Sequence, residues 1–504
     1  MGQTGEWLMT LIDHLWSDLE RNLLCYLGRQ RWFGGKARAV LGARMADVAW
    51  LRSPPNGLVL VLVQINFMET PPEHYLMPLG LVLGDRPSPV SAESILLYRW
   101  PTLAGPATVY DALADDTACL FLLDLMKLKV PLPMLMGQLQ VQPTPLYAQL
   151  RGGQTPPMTV HRTARDQSNR SIRYDRNNEG QIVLKLFGKL EAGRNPDHEI
   201  GLFFHERSPF PSTPALAGAI TYVSFGAETT LAVLHAFETS EGTGWDQFQQ
   251  YLTGYLGRMR QSAGVPDAAA IKGMLPWAAM LGQRTAEMHV ALSAADESMP
   301  AFQPEAYTLA DVSQLTARVI QRSHLIPALW ATPKAQEKFK ENLGVLGGQG
   351  GLGQKIRCHG DYHLGQVLFR KGDFVIVDFE GEPHHALADR RHKQSPVKDV
   401  AGMLRSFDYA ARQFLREHVM TPMDQSRWAA WVQTWIAEMT QEFVQSYLAT
   451  LGNANVALVP PEEGFNALLW MELLNKALSE LEYELAQRPS WVQLPQQGLE
   501  ALLA

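Results

Sequence analysis

The sequence predicts an α+β molecule of two lobes, and three observations carry that expectation. Short apolar runs rich in Val, Ile and aromatic residues dominate the chain to about residue 238, the pattern of strands. Beyond "TSEGTGWDQF" the apolar spacing turns helical and stays so to the C-terminus. One interruption, around 355–380, reads as a small strand pair inside the helical part. Strands first and helices after, with the strand pair set among the helices, point to a β-rich lobe followed by a helical lobe.

Each element follows from its local pattern. Residues 10–30 read as an amphipathic helix, and "GLVLVLVQINF" (Gly57–Phe67) as a buried strand. "HYLMPLGLVL" and "ESILLYRW" continue the strands to about Trp100. "TVYDALADDTACLFLLDLMKL" reads as one helix, and the Pro-rich "VPLPMLMGQLQVQPTPLY" as an irregular connection. "TVHRTARDQSNRSIRYD", the turn "RNNEG" and "QIVLKLFGKL" form a predicted hairpin. A helix after Pro196 and the strands "AITYVSF" and "TTLAVLHAFE" complete the β-rich part. The expected division is a cap over 1–100, a β-rich lobe over 101–238 and a helical lobe over 239–504.

Composition excludes several classes. With 504 residues, 46% of them apolar and 19% charged, the chain has the make-up of a globular protein. The net charge of −7 gives no footprint for nucleic acid or an anionic membrane. No run approaches the length of a membrane span, and the first residues lack the basic start of a signal peptide. Three scattered cysteines fit a reducing, cytoplasmic setting without disulfides. The expected assembly is a monomer or a small homo-oligomer. "GQGGLG" at 348–353 matches G-x-G-x-x-G, but a helix precedes it and a strand follows, so it reads as a connector.

The chemistry concentrates in "CHGDYHLGQVLF" (Cys358–Phe369). A polar turn is the plainest reading. A dinuclear metal phosphoesterase would need more ligands from later segments, and His384, His385 and His392 lie in a polar stretch without a strand to hold them. The third reading is a phosphoryl-transfer loop. Such loops set an Asp after a His and an amide five residues further on, as Asp361 and Gln366 are spaced here. The Asp takes the proton of the attacking hydroxyl, and the amide oxygen ligates Mg²⁺. "VLFRKGDFVIVDFEGEP" then supplies a hairpin ending in Asp378, with Glu380 two residues on, as further candidate metal ligands.

A kinase site also needs a lysine on the phosphates and a helical glutamate to position it. Lys185, isolated in the apolar strand "IVLKLF", and Glu199, near the start of the next helix, fit those roles. In "RDQSNRS", Ser168, Asn169 and Ser171 are candidates for phosphate contact without glycine. The backbone from Ala236 through Phe237 to Glu238 is the candidate adenine-binding hinge.

With these parts in order, the sequence resembles the bacterial maltokinases over nearly its whole length. The resemblance is carried by "RQRWFGGKAR", "DQSNRS", "LKLFGKLEAGRNPDHE", "FPSTPALAGAITY", "LGQRTAEMHVAL", "HGDYHLGQVL", "VDFEGEP", "KQSPVKDVAGMLRSFDYAA" and "ELEYELAQRPSW". It implies a bilobal protein-kinase-like fold, similar to aminoglycoside phosphotransferases, with an added N-terminal cap subdomain. It implies ATP and Mg²⁺ as cofactors and maltose as acceptor. The product would be maltose 1-phosphate, made for α-glucan synthesis from trehalose and maltose, with trehalose synthase as a candidate partner. By the same resemblance Asp361 is the base, Gln366 and Asp378 ligate Mg²⁺, and Lys185 meets the phosphates with Glu199 beside it.

The family's sugar-binding helix reads K-A-x-Y-E-x-x-Y-E. Here "KALSELEYE" gives Lys476, Glu480, Tyr483 and Glu484 in register, with Ser479 where the first Tyr is usual. Those four positions fall on one helical face, an array able to bond sugar hydroxyls. His359 joins them as an acceptor-site candidate. "DQSN" for "EQSN", and Arg170 for Thr, are smaller departures. Trp32 reads as a packing residue between the cap and its neighbour. Asp399 and Arg405, six apart in "KDVAGMLRS", read as inter-segment ion-pair residues outside the chemistry. The alternatives are a kinase of another sugar or aminosugar such as glucosamine, and an inactive nucleotide-binding regulatory protein. Retention of all five kinase positions argues against the second.

Overall fold

A computed structural model describes residues 19–30, 32–83, 96–102, 105–152, 157–162, 169–177, 179–262, 272–418 and 422–504. It resolves into two compact units, one of residues 1–202 with 215–238, the other of 203–214 with 239–504.

The first unit is built on two antiparallel sheets. In one, β1 (Val40–Arg52), β2 (Asn56–Phe67), β3 (Glu73–Leu83), β4 (Leu96–Thr102) and β5 (Gly105–Asp111) run in the order β1-β2-β3-β5-β4, and β11 (Lys189–Leu190) adds to β3. The other has seven strands: β6 (Leu132–Pro133), β7 (Gln138–Pro143), β8 (Thr159–Arg162), β9 (Asn169–Arg176), β10 (Glu179–Phe187), β12 (Leu216–Ser224) and β13 (Ala227–Ala236), in the order β6-β7-β12-β13-β10-β9-β8. β2 is apolar on both faces because one face packs with Tyr75 and Met77 and the other with Leu122 and Leu123.

Two expectations change here. Thr108–Asp111, read as the start of a helix, is the end of β5, because Thr-Val-Tyr pairs with both β3 and β4. The helix begins only at Asp116, where Asp115 accepts from the Thr117 N–H as an N-cap. The Pro-rich connection contains β6, β7 and a helix, Pro145–Arg151, that starts on its proline. The helix expected over 10–30 is present where it is described, at 19–29.

Trp32 packs as anticipated. It lies beside Tyr75 at 6.2 Å, the Arg170 guanidinium sits 4.6 Å over its ring, and Gly188 leaves it room. Arg170, the departure from Thr, also donates to the Leu76 carbonyl at 2.6 Å and faces Asp111, which Tyr26 bonds as well.

The second unit is helical. Its helices Gly244–Ser262, Leu275–Leu292, Val397–His418 and Pro422–Ala454 enclose an aromatic core in which Phe248 stacks on Phe407 at 5.5 Å and meets the edge of Trp435. Helix Glu462–Gln487 packs against Val397–His418. Strands Val367–Arg370 and Asp373–Ile376 form the expected hairpin, with Lys371 and Gly372 at its turn. "GQGGLG" follows helix Pro333–Gly348 and leads into only a two-residue strand, Gln354–Lys355.

Candidate active site

In the first unit, Lys185 lies mid-strand in β10, directly opposite Val233 of β13 and Ser171 of β9. Directly opposed residues share a face, so Ser171 and Lys185 project together. Lys185 pairs at 3.3 Å with Asp197, in the first turn of helix Pro196–Glu206. His235 approaches the other oxygen of Asp197 at 3.5 Å. Burial pushes the Asp197 carboxyl up, but Lys185 and His235 outweigh it and hold the group well below the usual carboxylate range. Asp197 is a residue the sequence reading missed. Its signal was available, because Asn195 and Asp197 open a helix and the Asn195 side chain accepts from the Asp197 N–H at 2.9 Å. Glu199 is buried one residue beyond His198.

Asn169 is buried opposite Phe187, and Ser168 lies outside the described residues. The N–H groups of Ala236 and Phe237 donate within the sheet, to Ala215 at 2.9 Å and Gln181 at 3.0 Å. The Phe237 ring lies under Arg173 at 5.0 Å and over Gly180, where any Cβ would collide with it.

In the second unit, one helix seats the loop that carries Asp361. Asp399, Gly402 and Ser406, spaced three and four apart, fall on one face of Val397–His418. Asp399 accepts from the N–H groups of His359 at 2.8 Å and Gly360 at 2.9 Å, and from His289 at 3.2 Å. Tyr447 bonds the other nitrogen of His289 at 3.0 Å. Burial raises the Asp399 carboxyl, yet His289, His359 and the Gly360 N–H hold it below its ordinary value. At Gly402 a Cβ would come within 2.6 Å of the Tyr362 carbonyl, so only glycine lets the loop lie this close. The Leu364 N–H donates to Ser406 at 3.0 Å. Asp399, read as an ion-pair residue outside the chemistry, is the anchor of the loop that carries Asp361.

His359 is fully buried. Its Nε2 meets the Val377 carbonyl at 2.9 Å, its Nδ1 accepts from the Asp361 N–H at 3.4 Å, and Phe379 covers its ring. With both nitrogens committed to backbone it holds the loop, and the expected contact with an acceptor is corrected on that ground. Gly360, at φ 84°, makes the turn that presents Asp361.

Gln366 and Asp378 come together as the spacing predicts. The Val377 N–H donates to the Gln366 carbonyl at 3.0 Å, and the Gln366 amide meets Asp378 at 2.9 Å. Asp378 adopts φ 71°, a left-handed conformation uncommon for a residue with a side chain and concentrated at functional positions. A carboxylate beside an amide is an oxygen donor set that suits Mg²⁺. Glu380 lies 3.9 Å from Arg390.

Lys476, on helix Glu462–Gln487, stands 3.8 Å from Asp361 and 2.6 Å from Glu382. Burial disfavours the ammonium, but Glu382, Asp361 and Glu480 outweigh it and raise its pKa. Glu382 is buried and held well below the carboxylate range against its own burial, chiefly by Lys476 and then by His384 and His385. His363 reaches the second oxygen of Asp361 at 3.9 Å.

The other sugar-face candidates separate from this cluster. Glu480 is held by Arg405 at 2.8 Å, and Arg405 also bonds Asp408. Glu484 is buried with Arg488 at 2.6 Å and Tyr409 at 3.4 Å. Tyr483 is half exposed, with the Arg488 guanidinium over its ring.

Comparison with known proteins agrees with this architecture. Residues 26–115 match the family described as the maltokinase N-terminal cap domain. The chain is 28% identical over 355 residues to a glucosamine kinase of Streptacidiphilus jiangxiensis, covering 66% of this chain and 73% of that one. A glucosamine kinase of Mycolicibacterium smegmatis (strain ATCC 700084 / mc(2)155) is 28% identical over 241 residues, 47% of this chain and 56% of its own length. Among solved structures, a glucosamine kinase in complex with glucosamine, ADP and inorganic phosphate superimposes with a TM-score of 0.60 at 20% identity, over 92% of this chain and 94% of that one. Crystal form A of a glucosamine kinase gives 0.61 at 20% identity over 92% of each chain. The chain is maltokinase-like: it joins a maltokinase N-terminal cap domain to the kinase fold of these solved structures.

Proposed function

We propose that the chain is an ATP-dependent sugar kinase and that its acceptor is the anomeric hydroxyl of maltose, giving maltose 1-phosphate. The observation that carries the acceptor side is the Lys476–Asp361 contact beside Glu382. Asp361 stands on an anchored loop with one oxygen 3.8 Å from the Lys476 ammonium, a fixed position from which it can take the proton of a hydroxyl. The nearby acids are each matched with a base: Glu382 with Lys476, Glu480 with Arg405 and Glu484 with Arg488. An aminosugar brings an ammonium that would need a carboxylate of its own, so this pairing favours a neutral sugar. The similarity to glucosamine kinases favours the aminosugar and makes it the second reading.

In this reading Lys185, held by Asp197, meets the ATP phosphates, with Asn169 and Ser171 beside them. Adenine would rest on the carbonyls of the 236–238 segment, since two of its N–H groups serve the sheet. Gln366 and Asp378 would hold Mg²⁺, which supplies charge neutralisation on the phosphates. The rest of the catalysis is positioning. Retention of Lys185, Asp361, Gln366 and Asp378 in these settings weighs against an inactive regulatory protein.

The test is ATP consumption with Mg²⁺ across maltose, glucose, glucosamine and trehalose. Turnover specific to maltose with a non-reducing product is expected. Preference for glucosamine reassigns the acceptor, and no turnover with any sugar overturns the enzyme.

A further inference from the structure

The histidine pair that the sequence reading left without a role converges on one oxygen. His384 Nε2 lies 3.3 Å and His385 Nε2 3.0 Å from Glu382 Oε2, and the three atoms all fall within 4.8 Å of one another. A tetrahedral ion with bonds of roughly 2.0–2.1 Å needs ligand-to-ligand edges of about 3.3 Å, so both measured edges lie near that value. The turn that gathers the ligands is closed by its own backbone, the His385 N–H donating to the Glu382 carbonyl at 3.1 Å. The two rings lie 4.3 Å apart and are open to solvent, which provides an entry path, while the carboxylate beneath them is buried. The far oxygen of Glu382 is bonded by Lys476 at 2.6 Å, the kind of outer partner that orients a ligating carboxylate.

We propose that Glu382, His384 and His385 form a site for one borderline divalent cation of the Zn²⁺ class, and that its occupancy slows phosphoryl transfer. Two imidazoles and one carboxylate favour Zn²⁺, Co²⁺ or Ni²⁺ over Mg²⁺, which prefers all-oxygen surroundings. The site is therefore separate in chemistry from the Gln366–Asp378 donor set. Its effect on transfer rests on the kinase reading above. An ion on Oε2 draws charge from Glu382 and weakens its hold on Lys476. Lys476 then shifts toward Asp361, now 3.8 Å away, and occupies the carboxylate oxygen that an attacking hydroxyl would need. No bond is made or broken beyond ligation, and each imidazole binds through an Nε2 that carries no proton, its one N–H then being on Nδ1.

The experiment titrates the full chain, freed of metal, with Co²⁺ and follows the visible bands of a tetrahedral site, then displaces the ion with Zn²⁺. One equivalent is expected to bind. The double variant His384→Ala/His385→Ala should lose the bands, and each single variant should weaken binding at least ~10-fold, the low end of what an outer partner of a metal site costs. Undiminished bands in the double variant overturn the site. So does a thiolate-to-cobalt charge-transfer band, which would put the ion on the exposed Cys25. The same proteins are assayed for sugar phosphorylation at saturating Mg²⁺ with and without Zn²⁺. Inhibition of the parent that the double variant escapes supports the coupling, and equal inhibition of both overturns it. Because the cobalt bands need no turnover, loss of the kinase reading leaves the metal site still tested.

Discussion

Two lysines drawn out of bulk water do different electrostatic work. Lys185 sits in a strand and meets Asp197 at 3.3 Å, sharing that carboxylate with His235. Lys476 sits mid-helix and meets Glu382 at 2.6 Å with Asp361 a further contact at 3.8 Å. The first contact is long, and its acid already has a second base. The second is short, and its lysine has two acids. A long contact with a shared acid can be loosened toward an incoming phosphate at little cost. A short one under two carboxylates fixes the ammonium, which then serves to orient its neighbours.

The largest effect should come from the group that Lys476 orients. Asp361→Asn keeps the shape of the loop and removes the proton acceptor, so kcat should fall by about 10²–10⁴-fold with ATP binding retained. Near-parent turnover would leave Lys476 nothing to orient and break the comparison. Next comes Lys185→Met, for which kcat/KM for ATP should drop by roughly 10²–10³-fold, the cost of one preorganised donor. Asp197 is then left buried beside His235, so thermal stability should fall as well.

Lys476→Met should move the kinetic loss from the ATP side to the sugar side. It leaves Glu382 buried beside two partly exposed histidines, and removing one partner of a buried pair costs about 3 kcal/mol or more. Since Lys476 is itself a quarter exposed, a loss nearer the lower figure is expected, with KM for the sugar raised and KM for ATP unchanged. Glu382→Gln measured beside it sharpens the point. If the pair acts as described, thermal melting of the two single variants and the double variant will show non-additive losses.

How far these roles could be read in advance differs between the two. Lys185 announced itself, because a lone charge in an apolar strand calls for a partner, and Asp361, Gln366 and Asp378 follow from spacing along one short segment. The helix that seats their loop was visible as a helix. Its function was not, since the bonds from Asp399 to the His359 and Gly360 amides span some forty residues, and spacing within a helix does not say what lies on it. Asp197, two residues before Glu199, is harder to read, because both are acids at the start of one helix and spacing along it does not show that Asp197 meets Lys185. The sugar face is legible as a face and not in its pairings. Its residues share a helical face as expected, but Arg405 and Arg488, distant or out of the pattern, claim Glu480 and Glu484. The strand at Thr108–Asp111 was hidden by an apolar run that continues into the next helix.

The smallest effect tests the first unit alone. His198 follows Asp197 in the helix and is fully buried, with its Nδ1 on Thr230 at 3.2 Å. Burial, with Arg194 adding, holds its pKa down to about 4. In the unfolded chain an imidazole titrates near 6.5, so between those values the unfolded state binds the extra proton. Stability is therefore complete above about pH 6.5 and falls as the pH drops toward 4, by an amount on the order of 3 kcal/mol. The Lys185–Asp197 pair gives no slope in that window, because the Asp197 carboxyl is ionised in the folded chain and nearly so in the unfolded one until the pH approaches 4. Thermal melting of the parent and His198→Asn from pH 7.5 to 4.5 separates the two sources. The variant should lose most of the slope above pH 5, and an unchanged slope would move the acid sensitivity to other groups and leave His198 a neutral spacer beside the pair.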